Sequence, residues 1–198
     1  MEHVAHLQKD KKLAPIVQPP FCNLTPKKNI AIALMGSIMS QQLSTKVAAV
    51  IYARFLALYQ HKIPTVAAVL NTPIDTLRSI GLSNAKAMYI HNVAQFFIEQ
   101  KITPAYLNKL SNEEIIALLT QIKGVGQWTV EMLLMFTIGR EDLIALDDLG
   151  IQQAIVKLYK LEHLNKKELK LKMEKIAVKW SPYRTYACLY LWRWKDGK

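Results

Sequence analysis

At 198 residues, 51% of them hydrophobic, the chain has material for one compact unit or two small lobes sharing a core, and is no disordered basic tail. Its 26 Lys and Arg outnumber 15 Asp and Glu, a formal charge of +11. The two cysteines, Cys22 and Cys188, exclude a four-thiolate iron–sulfur cluster, a zinc ribbon or a disulfide scaffold.

The chain opens Met1-Glu2-His3-Val4-Ala5-His6, without the basic-then-apolar layout of an export signal, and residues 1–23 read as a leader. An intracellular location is expected: cytoplasm and nucleoid in a bacterium, nucleus in a eukaryote. The longest apolar runs, 47–53 and 186–192, are too short to span a bilayer. Glycine is scarce and apolar spacing follows i, i+3, i+4, so an all-α fold is predicted. In chain order the helices fall at 26–40, 45–60, 64–70, 73–80, 84–100, 104–110, 112–122, 128–138, 149–159, 166–180 and 182–194. Thr25, Thr72, Thr103 and Ser181 each stand before a proline as start signals, and Ser111 with Glu114 makes a capping-box pattern. No repeat of fixed period and no low-complexity linker interrupts them.

Positive charge is spread evenly, with balances of +6 over residues 1–99 and +5 over 100–198. Such a field favours a polyanion, nucleic acid ahead of a membrane, although many small proteins are basic without binding one. The lysine-rich 166–179 segment carries Leu169, Met173 and Ile176, then Trp180, at helical spacing. It reads as an amphipathic core helix with a solvated lysine face. The histidines at 3, 6, 61, 91 and 163 form no metal-ligand pattern.

The most informative stretch is 112–139, centred on Ile122-Lys123-Gly124-Val125-Gly126-Gln127-Trp128-Thr129. Two helical patterns flank a tight turn in which glycine permits positive φ and close backbone approach. The second helix opens at Gln127 or Trp128, and its unpaired first amides suit a phosphate oxygen without reading sequence. Gly-Val-Gly alone is weak evidence; between two helices in a basic chain it reads as a helix-hairpin-helix, against the plainer reading of an ordinary turn. Twenty residues past Trp128, an apolar run delivers Asp147 and Asp148 to the start of another helix. One acid is explained as a cap; a second beside a DNA-binding surface needs another use.

Taken together, the chain resembles the helix-hairpin-helix DNA glycosylases, most closely the DNA-3-methyladenine glycosylase II group. The resemblance rests on the hairpin, the downstream Asp, Trp180-Ser181-Pro182-Tyr183-Arg184-Thr185-Tyr186-Ala187, the Gln41-Gln42-Leu43 segment and Gly81-Leu82-Ser83-Asn84-Ala85-Lys86. It spans about residues 24–194 and corresponds to a compact form without the N-terminal β-domain of some members. What it implies is a single glycosylase domain over 1–198 with two helical lobes and an active-site cleft between them. The implied activity is monofunctional: a damaged base in double-stranded DNA is flipped out and its N-glycosidic bond hydrolysed, leaving an abasic site. Alkylated purines such as 3-methyladenine and 7-methylguanine are the implied substrates, and a monomer the expected form.

By that resemblance Asp148 is the essential carboxylate and Asp147 a neighbour or cap. Trp128 stands where bifunctional relatives carry a nucleophilic lysine, so no Schiff base is expected. Trp128, Trp192, Tyr183 and Tyr190 are candidates for the base pocket, because an electron-poor purine stacks on an electron-rich ring; an aromatic taken singly is more often core. Trp180 and Trp194 are left as packing residues. Gln42 or Leu43 would fill the vacated stack. Lys123, Gly124, Val125, Gly126, Gln127 and Thr129 would meet the DNA backbone, Lys123 standing where the family commonly has proline. The family also implies a Na+ or K+ ion on hairpin carbonyls of Thr120, Ile122 and Val125, and no required cofactor. Two rivals remain: a non-catalytic binder of damaged DNA, and a bifunctional glycosylase/lyase, which the absent lysine disfavours.

Overall fold

Residues 1–18 and 24–197 are described by the computed structural model, in which every regular element is helical. The chain divides into two units: residues 26–138, the hairpin unit, and 1–25 with 139–198, the terminal unit.

The hairpin unit is built round α2 (Ile30–Ser40), apolar on nearly every side, with Ile30, Leu34, Met35, Ile38 and Met39 buried. A helix of that composition needs cover all round. It is packed by α3 (Thr45–Ala57), α6 (Asn84–Glu99) and α9 (Gln127–Leu133). Two short helices, α4 (Val66–Leu70) and α5 (Ile74–Ser79), pack on α6; α7 (Pro104–Leu107) and α8 (Asn112–Leu119) lead into the hairpin. Ser44, Thr65, Ser83 and Thr103 each accept an amide from three residues on, and Ser111 with Glu114 completes its capping box.

Of the four residues read as start signals before proline, Thr103 alone caps. The Thr72 hydroxyl donates instead to the Ala68 carbonyl at 2.9 Å, and Pro73 takes the cap position. Residues 26–29 stay outside α2, whose cap is Asn29, and Ser181 turns to Asp142 at 2.8 Å, so the last helix starts at Arg184 rather than 182. The 128–138 helix changes register at Leu134, where Leu134–Ile138 forms a π turn.

In the terminal unit α10 (Leu149–Tyr159) packs on α12 (Arg184–Lys195), with α11 (Lys166–Ala177) running into a 3-10 turn at Val178–Trp180. Within the stretch read as a leader, residues 1–18 form α1 (Glu2–Leu7) and a 3-10 turn at Ala14–Ile16, and Leu7, Leu13 and Val17 are fully buried. Those three side chains are core. Residues 19–23, Cys22 among them, lie outside the described residues. The amphipathic reading of 166–180 matches the burial of Met173, Ile176 and Trp180. No helix among the described residues is long and apolar enough to cross a membrane.

Two carboxylates tie this unit together. Asp10 accepts from the Tyr159 hydroxyl at 2.6 Å and from Trp180 Nε1 at 3.3 Å, drawing α1's trailing turn onto α10 and α11. Asp142 accepts from Arg184 Nε at 2.6 Å and Nη2 at 3.0 Å. Burial pushes both carboxyls up, but the donors on each outweigh it and hold both below the usual aspartate range. The unfolded chain therefore binds more protons, and the stability these groups contribute is complete above about pH 4 and lost as pH falls through their depressed folded values. Urea unfolding from neutral pH down to strongly acidic pH should show this decline, and Asp10→Asn with Asp142→Asn should flatten it. An unaltered acid limb in the double variant would contradict the assignment.

Candidate functional site

The hairpin turn joins α8 to α9 through residues 120–126. Gly124 has φ +101, and a Cβ there would lie 2.2 Å from the Tyr89 ring, so the turn is pressed against α6 where only glycine fits. Gly126 differs from expectation. Its φ is −93 and a Cβ would meet nothing within 4 Å; it serves as the cap of α9. The turn is also held by the Val125 amide on the Ile122 carbonyl (3.0 Å) and by Asn92 Nδ2 on the Lys123 carbonyl (3.2 Å). Lys123 is exposed, whereas Val125 is buried.

Beyond the turn, Gln127 is exposed and its amide side chain reaches Glu131 Oε1 at 2.9 Å. Thr129, expected at the DNA backbone, is 4% exposed, and its hydroxyl oxygen accepts from Gln41 Nε2 at 3.5 Å. Its side chain thus braces the 41–43 segment rather than facing solvent. The amides of the first helical turn have no acceptor within the helix, as at any helix start.

Trp128 is 46% exposed and lines an open cavity of about 810 Å3 together with Gln41, Gln42, Leu43, Lys86 and Tyr89. Gln42 lies at φ 58, a left-handed conformation that costs on the order of 1 kcal/mol or more in a non-glycine residue. Lys86 supplies the anchor. Its Nζ donates to the carbonyls of Met39 (3.0 Å) and Gln41 (2.6 Å), placing a cation on the C-terminal carbonyls of α2, and burial lowers its pKa. Sequence reasoning places Lys86 in a motif without giving it a role; in the structure it holds the segment carrying Gln42 and Leu43.

In the terminal unit, buried Leu143 and Ala145 lead the chain to Asp147 and Asp148. Asp148 is the cap of α10: its Oδ1 accepts the Ile151 amide at 2.8 Å and also Trp192 Nε1 at 2.9 Å. Asp147 is not a cap, since its carboxylate meets Lys170 Nζ at 2.9 Å on the surface. A Cβ on Gly150 would stand 3.1 Å from Asp148 Oδ1 and 3.1 Å from Trp192 Cδ1, so glycine there allows the indole to close on the carboxylate.

Trp192, expected as a pocket wall, is thereby fixed as a donor to Asp148. Tyr183 donates to Glu2 Oε2 at 3.0 Å and meets the His6 ring edge-on at 5.4 Å. Tyr190 is fully buried with Arg193 over its ring at 5.1 Å, so it offers a base no face. Trp180 is fully buried, as expected of packing, and Trp194 lies under Lys157 at 5.3 Å.

The HhH-GPD model, described as a superfamily of base excision DNA repair proteins, matches residues 35–181, which include the hairpin and both aspartates. The chain belongs to that superfamily. DNA-3-methyladenine glycosylase 1 of Schizosaccharomyces pombe is 37% identical over 169 residues, covering 84% of this chain and 73% of that protein. Among solved structures, the S. pombe 3-methyladenine DNA glycosylase in complex with abasic DNA superposes with a TM-score of 0.82 at 31% identity, over 99% of this chain and 97% of that one. A DNA-3-methyladenine glycosidase from Bacillus halodurans gives 0.85 at 32% identity, over 98% and 89%.

Within this HhH-GPD chain the two hairpin glycines are not equivalent, and substitution should separate them. Gly124→Ala is expected to cost about 1–3 kcal/mol for its backbone and a further 1–3 for overpacking against Tyr89. Gly126→Ala should cost less than about 1 kcal/mol, the scale of a poorer cap. Urea titration of both variants checks this; equal losses would contradict it.

Proposed function

We propose that this chain is a monofunctional DNA glycosylase that removes alkylated purines, 3-methyladenine and 7-methylguanine, from double-stranded DNA as a monomer, leaving an abasic site. The observation that carries the reading is the fixed carboxylate of Asp148, held through Oδ1 by the Ile151 amide and the Trp192 indole. Cleavage of an N-glycosidic bond develops positive charge on the deoxyribose. A carboxylate already ordered by two donors stabilises that charge with little reorganisation, and can orient or deprotonate the attacking water. A purine alkylated on a ring nitrogen is cationic and leaves readily, so the site needs no strong second acid.

The other unit supplies what binding requires. Hairpin amides and Lys123 would take phosphates, Leu43 or Gln42 would fill the vacated stack, and the exposed Trp128 ring offers the flipped base a face. Position 128, where bifunctional relatives carry a lysine, supplies no amine for a Schiff base, and Lys86 in the same cavity donates to the Met39 and Gln41 carbonyls. A monovalent cation, Na+ or K+, would sit on the carbonyls of Thr120, Ile122 and Val125. Thr120 ends α8, where carbonyls lack helical donors, and Ile122 keeps a lone pair after accepting the Val125 amide. When bound, such an ion would offset phosphate charge at the turn.

Because Asp148 also caps α10, asparagine is the informative replacement: it caps as well as aspartate but carries no charge. Asp148→Asn should lower single-turnover release of base from alkylated duplex by about 10²–10³, the scale of losing one electrostatic stabiliser. Its melting temperature and its binding of abasic DNA should stay near wild type. Full release by the variant would overturn the mechanism; tight lesion binding without release by wild type would favour a non-catalytic binder.

A further inference from the structure

The terminal unit carries an open cavity of about 940 Å3 that the proposed chemistry does not use. It lies at the C-terminal end of α10, where Tyr159 and Lys160 leave the helix, whereas Asp148 caps the opposite end. Eleven residues at 1.5 Å each separate the two ends by about 16 Å. Six lysines line the cavity: Lys9, Lys11, Lys12, Lys160, Lys172 and Lys179. They come from the turn after α1, the end of α10, and α11 with its 3-10 extension.

The lining holds one carboxylate, and its oxygens are already engaged. Asp10 takes the Tyr159 hydroxyl, Trp180 Nε1 and the amides of Lys12 and Leu13. Lys12 Nζ donates to the Tyr159 carbonyl at 3.1 Å and lies 5.2 Å over the Tyr159 ring, covering the aromatic face on this rim. The other five lysines make no ion pair among the described residues. The lining therefore carries six lysine charges against the single charge of Asp10, an excess of positive charge that favours an anion. The apolar part of the lining, Leu161, Leu164 and Ile176, is aliphatic; the rings of the lining are Tyr159, beneath Lys12, and the imidazole of His163. The chemistry suits phosphates without bases.

We propose that this basin is a second nucleic-acid site, which grips the phosphodiester backbone of a DNA segment other than the one held at Asp148. The inference rests on the reading that the chain works on DNA. It places a phosphate-binding surface at the end of α10 opposite Asp148, in addition to the one proposed at the hairpin, so that one molecule can hold two duplex segments at once.

The test uses the full chain, two short undamaged duplexes labelled as donor and acceptor, and a separate alkylated duplex. Lys9→Gln, Lys11→Gln, Lys172→Gln and Lys179→Gln are combined in one variant, and the same four positions are changed to arginine in another. Wild type and the arginine variant should bring the two duplexes together, read as energy transfer, and the glutamine variant should not. The salt dependence of undamaged-duplex binding should flatten in the glutamine variant, by about 0.9 in log–log slope for each phosphate no longer neutralised. Single-turnover base release from the alkylated duplex should be unchanged.

Energy transfer that survives in the glutamine variant, or is absent from wild type, would overturn the proposal. So would equal loss in an arginine variant that melts like wild type, which would show that positive charge at these positions does not bridge the duplexes, or a parallel loss of base release, which would assign the lysines to the lesion site. Tripolyphosphate binding at the basin with no bridging of duplexes would mark a small-anion site instead. Bridging by wild type without any base release would leave the basin standing and remove the glycosylase reading.

Discussion

A single oxygen, Oδ1 of Asp148, closes the N-terminal end of α10 and at the same time receives the indole N–H of Trp192 on α12. These two helices form the main packed pair of the terminal unit, so the carboxylate is positioned by the unit's own core. Gly150 is the residue that lets this happen, since any side chain there would meet both the carboxylate and the indole at about van der Waals contact or closer. The arrangement joins stability to function: the cap contributes to the helix, and the helix returns a carboxylate with little freedom left to lose.

The same economy recurs in the hairpin unit, where Lys86 on α6 both neutralises the carbonyl end of α2 and fixes the segment that carries Gln42 and Leu43. Thr129 adds a second brace from α9. Neither residue need touch DNA to matter. Tyr89 plays a comparable part against Gly124, so that α6 supports the hairpin turn and the 41–43 segment together. A basic chain that must attract phosphates can thus keep acids where each has a defined use. Asp148 stands at the proposed chemistry, and Asp10 and Asp142 lie inside the terminal unit's hydrogen-bond networks.

Helix content was legible because periodicity and capping are local. All eleven helical segments in 26–194 are present, and Ser111 with Glu114 behaves as its pattern predicts. What was not legible depends on partners distant in sequence. The stretch 1–18 falls within the residues read as a leader, yet Leu7 and Leu13 are core because the 178–180 turn and α12 pack against that stretch. Thr72 and Ser181 carry cap chemistry but direct it to Ala68 and Asp142. For the site, the family resemblance pointed to Asp148 and Trp192 without the bond between them, and the hairpin reading treated Gly124 and Gly126 alike although only the first is forced by geometry. Tyr190 was a reasonable wall by residue type; burial makes it core.

The proposed chemistry depends most directly on Trp192 acting on Asp148 through its N–H rather than through the face of its ring. Trp192→Phe keeps an aromatic ring and removes the donor. Single-turnover base release should fall about 10-fold to 100-fold, as expected for one hydrogen bond to a charged group, with abasic-duplex affinity kept within about twofold. An unchanged rate, or a loss of affinity as large as the loss of rate, would contradict it.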